Sequence, residues 1–262
     1  GSFYTAIMGM NFLANHAEFI IFFIAPFYRI VGHPLILIYL KVLSFTVGVY
    51  WLYRIAAGKL DNLSAFFIIC LFAIYPANIF CLIYEFHYES LNTAFLFLLY
   101  YSFRENKYFI FFISMLCLGL IKENMPLIIM TFGVAGLFSK QKDKIRWGVI
   151  PIIFGAGIFY ISVFMLMPML RQNLPYPTSQ YLGLYKGLGN SFGEIFFTVF
   201  LQPVKIFQLI AHPDNLAYTR ELFAPLLFLP LFSPHILFFG VPIFLQHFLS
   251  SAWQQKSIYY HY

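Results

Sequence analysis

Long apolar runs alternate with short polar segments along most of this chain. About 20 predominantly apolar residues are needed to cross the hydrocarbon core of a bilayer, and residues 34–54, 63–83 and 147–169 fit that length. Pro76 lies inside the second run and predicts a break there. Shorter apolar runs, bounded by charged residues, occupy 90–103, 108–121 and 125–139. The pattern predicts an all-α fold, a polytopic transmembrane helical bundle.

Other segments are too short or too polar to span. Residues 17–31 are apolar but contain Pro26, which indicates an interfacial or re-entrant helix. The Gly- and Pro-rich residues 170–194 predict a loop, and residues 195–211 predict a helix on the membrane surface. Residues 216–232 and 235–250 predict a pair of helices. We therefore expect short interfacial helices on the extracytoplasmic side of the bundle.

Composition supports a membrane protein and excludes other classes. Hydrophobic residues make up 61% of the chain and charged residues 10%, against about 25% charged in soluble domains. The net charge is +6, but the basic residues lie in short loops rather than on one polar face, so nucleic acid is not an expected partner. The three cysteines lie within or at the end of apolar runs and are expected to be packing residues. The lipid bilayer is the expected surrounding, with one membrane domain over residues 1–262.

The basic residues predict the orientation of the chain. If the runs alternate across the bilayer, the basic residues of three loops fall on one side, which the positive-inside rule makes cytoplasmic. The polar segment 84–89 then lies on the extracytoplasmic face. The basic residues of those loops are Arg54, Lys59, Arg104, Lys107, Lys140, Lys142, Lys144 and Arg146.

The segment 84–89 carries the strongest candidate chemistry. Glu85, His87 and Glu89 alternate with Phe86 and Tyr88 between two apolar runs. On a strand all three polar groups share a face, and on a helix Glu85 and Glu89 do. Two carboxylates and an imidazole suit a general base or a divalent cation held by Glu85 and His87. The alternative is a solvated loop that marks the end of a span.

A second polar site follows residue 121. Lys122 and Glu123 lie between two apolar runs, so either they neutralise each other or Lys122 binds a phosphate that Glu123 helps to orient. Earlier in the chain, polar residues precede the first apolar run. Asn11, Asn15 and Glu18 are expected to cap helices, whereas His16 is expected to lie on the same face as His87.

Several of these motifs resemble a known family, the domain of unknown function 2079. The resemblance rests on Asn11–His16 followed by residues 25–29, on Glu85–Glu89, and on Lys122–Asn124. It extends to residues 181–183 and to the closing His261–Tyr262, so the motifs follow in order along nearly the whole chain. The match implies substrate-binding roles for His16, Lys122, Glu123 and His261.

That family is similar to the glycosyltransferase-C superfamily of polytopic enzymes. The resemblance implies a sugar donor linked to polyprenyl phosphate, used on the extracytoplasmic face, and an acidic site that Glu85 or Glu89 matches. Tyr88 stands where the family commonly has Pro, and Asn124 where it has an acid. The family pattern also begins with an earlier span and an acidic loop. We therefore expect this chain to be a fragment of a longer protein, inactive without that loop.

Three functions compete. The leading hypothesis is an inverting glycosyltransferase in a bacterial or archaeal plasma membrane, with Glu85, His87 and Glu89 as the catalytic site. A transporter or lipid flippase is the alternative, and it favours charges near the middle of the membrane beside broken helices. A non-catalytic scaffold is the third, and it predicts no effect when these three residues become Ala. Walker and HExxH motifs are absent, which weakens the ATP-driven transporter and zinc protease classes.

Overall fold

A computed structural model of the chain describes residues 4–5, 9–140, 143–171 and 180–259, and these residues are almost all helical. In chain order the α-helices are α1 (Phe12–Asn15), α2 (Ile21–Val31), α3 (Leu35–Ala57), α4 (Asn62–Ala73), α5 (Pro76–Ile83), α6 (Asn92–Arg104), α7 (Tyr108–Ile121), α8 (Met125–Phe138), α9 (Ile150–Tyr160), α10 (Met167–Arg171), α11 (Gln180–Leu184), α12 (Phe192–Leu201), α13 (Pro203–Ile210), α14 (Pro213–Phe223), α15 (Pro234–Leu237) and α16 (Val241–Leu249).

Shorter elements connect or extend these helices. Two strands, β1 (Tyr4–Thr5) and β2 (Met10–Asn11), pair antiparallel. Two π-helical turns, at Ile145–Val149 and Ile161–Leu166, flank α9 and make Ile145–Arg171 one continuous helix. The 3₁₀ turns are Tyr88–Leu91, Ala224–Leu226, Leu229–Phe232, Phe238–Gly240 and Trp253–Lys256.

The chain forms two compact units. The first unit comprises Gly1–Asn15 and Met167–Tyr262, and the second comprises His16–Leu166. The candidate site residues that the structure describes all belong to the second unit, whereas Asn11 and Asn15 belong to the first. One membrane domain over the whole chain stays a prediction.

Two helices confirm the predicted spans. Leu35–Ala57 has 23 residues and Ile145–Arg171 has 27, and both are long and apolar enough to cross a bilayer. The break predicted at Pro76 is also confirmed, since α4 and α5 meet at an angle of 54°. Helix α2 has 11 residues, which gives a length of about 16 Å and is too short to span.

Small residues bring the helices of the second unit into close contact. A Cβ atom on Gly48 of α3 would lie 2.6 Å from the side chain of Thr93 in α6. One turn earlier, the hydroxyl of Ser44 donates to the carbonyl of Leu91 at 3.0 Å. Such approaches drive helix association in lipid, where burial from water is not available as a driving force.

The contact between α8 and α9 follows the same principle. A Cβ on Gly136 would lie 1.9 Å from the carbonyl oxygen of Trp147, and one on Gly155 would lie 2.6 Å from that of Pro126. Beside this contact, Trp147 packs against Phe103, Tyr108 and Phe111 with ring centroids 5.1 to 5.7 Å apart. The core of this unit therefore combines glycine contacts with an aromatic cluster.

Basic side chains gather at the aromatic end of the second unit. Arg54 and Lys107 both contact the hydroxyl of Tyr101, at 3.2 and 3.3 Å. Arg104 donates to the carbonyl of Ile55 at 3.1 Å. Loops that the positive-inside rule assigned to one side thus meet at one end of the unit, while the side itself stays a prediction.

The first unit has its own polar contacts. The buried Arg171 donates from Nε to the carbonyl of Ala14 at 2.7 Å, which joins α10 to α1. The amide of Asn215 donates to the carbonyls of Leu209 and Phe248 at 2.7 and 2.8 Å. These bonds tie α14 to its neighbours.

Two predicted helices of the first unit are wrong in their extent. The helix expected over 195–211 is two helices, α12 and α13, which meet at 92° because Pro203 has no amide hydrogen to continue α12. The helix expected over 216–232 ends at Phe223. Pro225 follows, and Leu227 and Phe228 adopt left-handed backbone angles (φ 51° and 57°) that end the helix.

Many large apolar side chains lie on the outside. Phe23 and Phe27 of α2 are 60% and 61% exposed, and Phe66 and Phe67 of α4 are similarly exposed. An apolar surface this extensive is unfavourable in water and suits contact with lipid.

Changing Gly136 to Ala should lower the stability of the folded protein. The added Cβ would overlap the carbonyl of Trp147, and overpacking of this kind costs about 1–3 kcal/mol. Gly157→Ala in α9 is the matched control, because no atom lies within 4 Å of its added Cβ. Thermal unfolding in lipid nanodiscs checks both variants, and an equal effect of the two would contradict the close contact.

Candidate polar site

A buried carboxylate, that of Glu123, anchors the start of the second unit. Its Oε1 lies 2.9 Å from Nδ1 of His16, and its Oε2 accepts the backbone N–H of Ala17 at 2.8 Å. The backbone N–H of Ile20 donates to the carbonyl of Leu120 at 2.8 Å. Residues 16–20 are thereby held against the end of α7. The structure thus brings together His16 and Glu123, two residues with predicted substrate-binding roles, and those roles stay predictions.

Local geometry explains why Glu123 is available for this role. Helix α7 ends at Ile121, and Lys122 is extended (φ −156°, ψ 154°), so its side chain and that of Glu123 leave the helix in different directions. Helix α8 begins at Met125, with Pro126 in its first turn, a position where the missing amide hydrogen costs little. The two charged residues therefore lie in a tight turn between two apolar helices.

Lys122 forms an ion pair with Glu89. The two side chains are 15% and 17% exposed, so each charge needs the other. Burial raises the pKa of Glu89, but the attraction of Lys122 and its hydrogen bond outweigh burial and leave that pKa below its ordinary value. Burial lowers the pKa of Lys122, and the negative charges of Glu89 and Glu123 outweigh this and raise it. Both residues of the pair are therefore ionised at neutral pH.

The turn that carries Glu89 is itself held in place. Ser90 donates to the carbonyl of His87 at 2.6 Å, and Leu91 accepts the hydroxyl of Ser44. Further back, the buried Lys41 of α3 donates to the carbonyl of Tyr84 at 2.5 Å. Lys41 thus faces protein, one of the two arrangements that a lysine within a span permits.

Glu18 joins this cluster and was not predicted as a site residue. It is 5% exposed, and its burial, followed by the negative charge of Glu89, raises its pKa from 4.5 to about 8. Glu18 is therefore protonated at neutral pH. The capping role expected for Glu18 is wrong, because α2 begins at Ile21 and its N-cap residue is Ile20, with no side-chain cap. For Asn11 the expectation is confirmed, since its side chain accepts the N–H of Leu13 at 2.9 Å.

Glu85 and His87 lie apart from the buried groups. His87 Nε2 is 3.5 Å from Glu85 Oε1, and the two side chains are 48% and 75% exposed. His87 has an extended backbone (φ −122°, ψ 146°), and the 3₁₀ turn begins at Tyr88, so Glu89 is directed inward while Glu85 and His87 face outward. No described hydrogen bond or ion pair joins Glu89 to either residue.

The described residues offer limited support for a bound metal. Among them, no group of three His, Cys, Asp or Glu side chains is arranged to hold a metal ion. Glu85 and His87, the predicted pair of ligands, are two exposed side chains. The site residues present therefore do not make up a protein-ligated metal centre. His261, the remaining predicted site residue, lies outside the described residues.

The polar cluster lies at the ends of short helices. Helix α6 has 13 residues and α7 has 14, which gives lengths of about 20 Å. A bilayer core is about 30 Å thick. If the basic end of these helices lies at one membrane surface, the turn with Lys122 and Glu123 lies below the other surface. The cluster is then recessed within the bilayer.

Comparison with known proteins agrees with the membrane character of the fold. The chain matches, over residues 1–262, the sequence model of the family described as predicted membrane protein (DUF2079). The chain belongs to this family. No curated protein and no solved structure matches the chain. Membership of the family confirms the resemblance seen in the motifs and establishes a membrane protein with apolar helices.

Replacing Glu18 by Gln should stabilise the protein increasingly as pH rises from about 5 to about 8. In that window the folded protein keeps the Glu18 proton that the unfolded chain loses, because the folded pKa is about 8 and the ordinary value is 4.5. Wild-type stability therefore falls with rising pH, and Gln removes this fall. Thermal unfolding of both proteins over a pH series in nanodiscs measures the difference.

The matched control for this prediction is Glu105→Gln, which changes an exposed side chain at the far end of α6. Exposed substitutions usually change stability by less than about 0.5 kcal/mol. A difference between wild type and Glu18→Gln that does not vary with pH would show that Glu18 is ionised in the folded protein.

Proposed function

We propose that this protein is a glycosyltransferase that transfers a sugar from a polyprenyl-phosphate donor to an extracytoplasmic acceptor. The observation that carries the proposal is the pair formed by His16 and the buried Glu123. A carboxylate that holds an imidazole in place is a common arrangement for a general base. The His16 side chain is 29% exposed, so an acceptor can reach it.

The proposed reaction uses His16 to remove the proton of an acceptor hydroxyl. The acceptor oxygen attacks the anomeric carbon of the sugar, and the bond from that carbon to the phosphate oxygen breaks. Polyprenyl phosphate leaves with the bonding electrons, and the proton stays on His16 until solvent accepts it. Lys122 supplies positive charge for the departing phosphate, because its ammonium has three N–H donors and can contact a phosphate oxygen without releasing Glu89.

The polar cluster lies at the ends of α6 and α7, where a substrate that approaches from one membrane surface can reach it. Glu85 and His87, at the exposed rim, are proposed to contact the substrate there. The basic residues at the opposite end, Arg54 and Arg104 among them, favour a cytoplasmic position for that end and hence an extracytoplasmic position for the site.

A second candidate function is a proton-coupled transporter or lipid flippase. The observation that favours it is the proton held by the buried Glu18 beside the Glu89–Lys122 pair, because buried carboxyl groups relay protons in many transporters. The bend of 54° between α4 and α5 adds a broken helix, a feature of transporter binding sites. The position of the cluster at helix ends favours the enzyme.

Sugar transfer should depend on the His16–Glu123 pair. We expect the intact protein, in proteoliposomes with a panel of radiolabelled polyprenyl-phosphate sugars, to release or transfer sugar from at least one donor. His16→Gln and Glu123→Gln should each lower kcat by about 100-fold or more, as loss of a general base does, with a smaller change in KM. Release of the labelled sugar and its incorporation into acceptor are the measured quantities.

His33→Gln is the matched control, because His33 is exposed in the same unit and its side chain accepts a local N–H, that of Leu35. It should transfer sugar at the wild-type rate. If no donor is turned over, while substrate flux across the proteoliposome membrane needs Glu18 and Glu89, the transporter replaces the transferase.

A further inference from the structure

Four buried side-chain oxygens in the second unit have no hydrogen-bond partner among the described residues. Three of them, Oε2 of Glu89, Oδ1 of Asn92 and Oδ1 of Asn124, belong to neighbouring turns, and the fourth is the hydroxyl of Ser162 in the long helix Ile145–Arg171. Folded proteins leave few buried polar atoms without a partner. Three such atoms near one site therefore call for a specific explanation.

The three oxygens belong to one end of the unit. Asn92 is the first residue of α6 and follows Glu89 by three residues, so the two side chains lie on the same side of that turn. Asn124 directly precedes α8 and follows Lys122, the ion-pair partner of Glu89, by two residues. The ion pair between Glu89 and Lys122 thus connects the two turns that carry the three acceptors.

The chemistry of these atoms restricts what can bind them. All three are acceptors, so the ligand must supply hydrogen-bond donors. An anion has no hydrogen-bond donors to offer these three acceptors, and a divalent cation is disfavoured by the ammonium of Lys122 beside them. A neutral ligand with several hydroxyl groups meets both conditions, and a sugar ring is such a ligand.

We propose that Glu89, Asn92 and Asn124 form a subsite that accepts hydrogen bonds from the hydroxyl groups of a sugar. The class of ligand in this inference rests on the proposed function. The inference also assigns a binding role to Asn92 and Asn124, which take no part in the proposed proton transfer. Because all three oxygens are buried, the sugar reaches them when the side chains that cover them move aside.

The test measures sugar binding without turnover. The probes are methyl glycosides of several common sugars, and the intact protein is placed in nanodiscs prepared without glycoside detergents. Saturation-transfer NMR reports binding. We expect at least one glycoside to bind, and Asn92→Leu and Asn124→Leu each to weaken its affinity about tenfold, the effect of losing about 1.4 kcal/mol.

Matched variants separate the subsite from general damage. Asn124→Asp keeps an acceptor oxygen at the same position and should retain binding. Asn62→Leu changes an exposed Asn at the start of α4 and should leave the affinity unchanged. Asn92→Ser and Asn124→Ser, whose shorter side chains do not reach the same position, replace the Leu variants if those do not fold, with the same expected loss.

Three results would overturn the subsite. The first is that no glycoside binds, and the second is that the Leu variants bind as well as wild type. The third is that Mg²⁺ or Ca²⁺ alone raises the unfolding temperature and that Asn124→Asp strengthens this effect, which would assign the oxygens to a cation.

Failure of the proposed function is distinguishable from failure of the subsite. Glycoside binding without turnover of any donor retains the subsite and overturns the transferase. Turnover without glycoside binding does the opposite.

Discussion

The ion pair between Glu89 and Lys122 is the interaction on which the polar end of the second unit depends. Each side chain is largely buried, and a charge that is removed from water without a partner costs several kcal/mol. The pair connects the 3₁₀ turn before α6 to the turn between α7 and α8. Glu123, the next residue, then holds His16 and Ala17. Lys122 and Glu123 thus connect their own turn to two other segments of the chain, the turn with Glu89 and residues 16–17.

The same turn leaves the cluster with more negative than positive groups. Glu18, Glu89 and Glu123 are three carboxyl groups, and Lys122 is the cationic partner of Glu89. A proton on Glu18 reduces the excess negative charge at neutral pH. Burial in a membrane protein thereby produces a group that exchanges protons near physiological pH, which both the transferase and the transporter hypotheses can use. The proposed general base distinguishes them, since a transporter does not require the His16–Glu123 geometry.

Hydrophobic periodicity predicted much of the second unit. The span over 34–54, the break at Pro76 and the position of Lys122 and Glu123 between two helices follow from apolar run lengths and proline alone. In the first unit the same approach missed the reversal after Phe223, because left-handed backbone at Leu227 and Phe228 has no sequence signal when the residues are not glycine.

Partners within the candidate site were harder to predict. The alternation of Glu85, His87 and Glu89 indicated a shared face, yet a change from extended backbone to a 3₁₀ turn at Tyr88 directs Glu89 inward, away from the other two. The position of Glu18 before a helix predicts a cap, whereas the structure buries it in the polar cluster. An acidic residue directly before an apolar run is the sequence feature that could have indicated this burial. Pairings such as His16 with Glu123, 107 residues apart along the chain, depend on tertiary packing that periodicity does not specify.

A double-mutant cycle on Glu89 and Lys122 measures how strongly the two buried charges depend on each other. The unfolding free energies of wild type, Glu89→Gln, Lys122→Met and the double variant are compared in nanodiscs. Each single change should cost about 3–5 kcal/mol, because it leaves the other charge buried without its partner. The double variant should cost clearly less than the sum of the two single changes. Additive effects would show that the two charges do not depend on each other and would contradict the account.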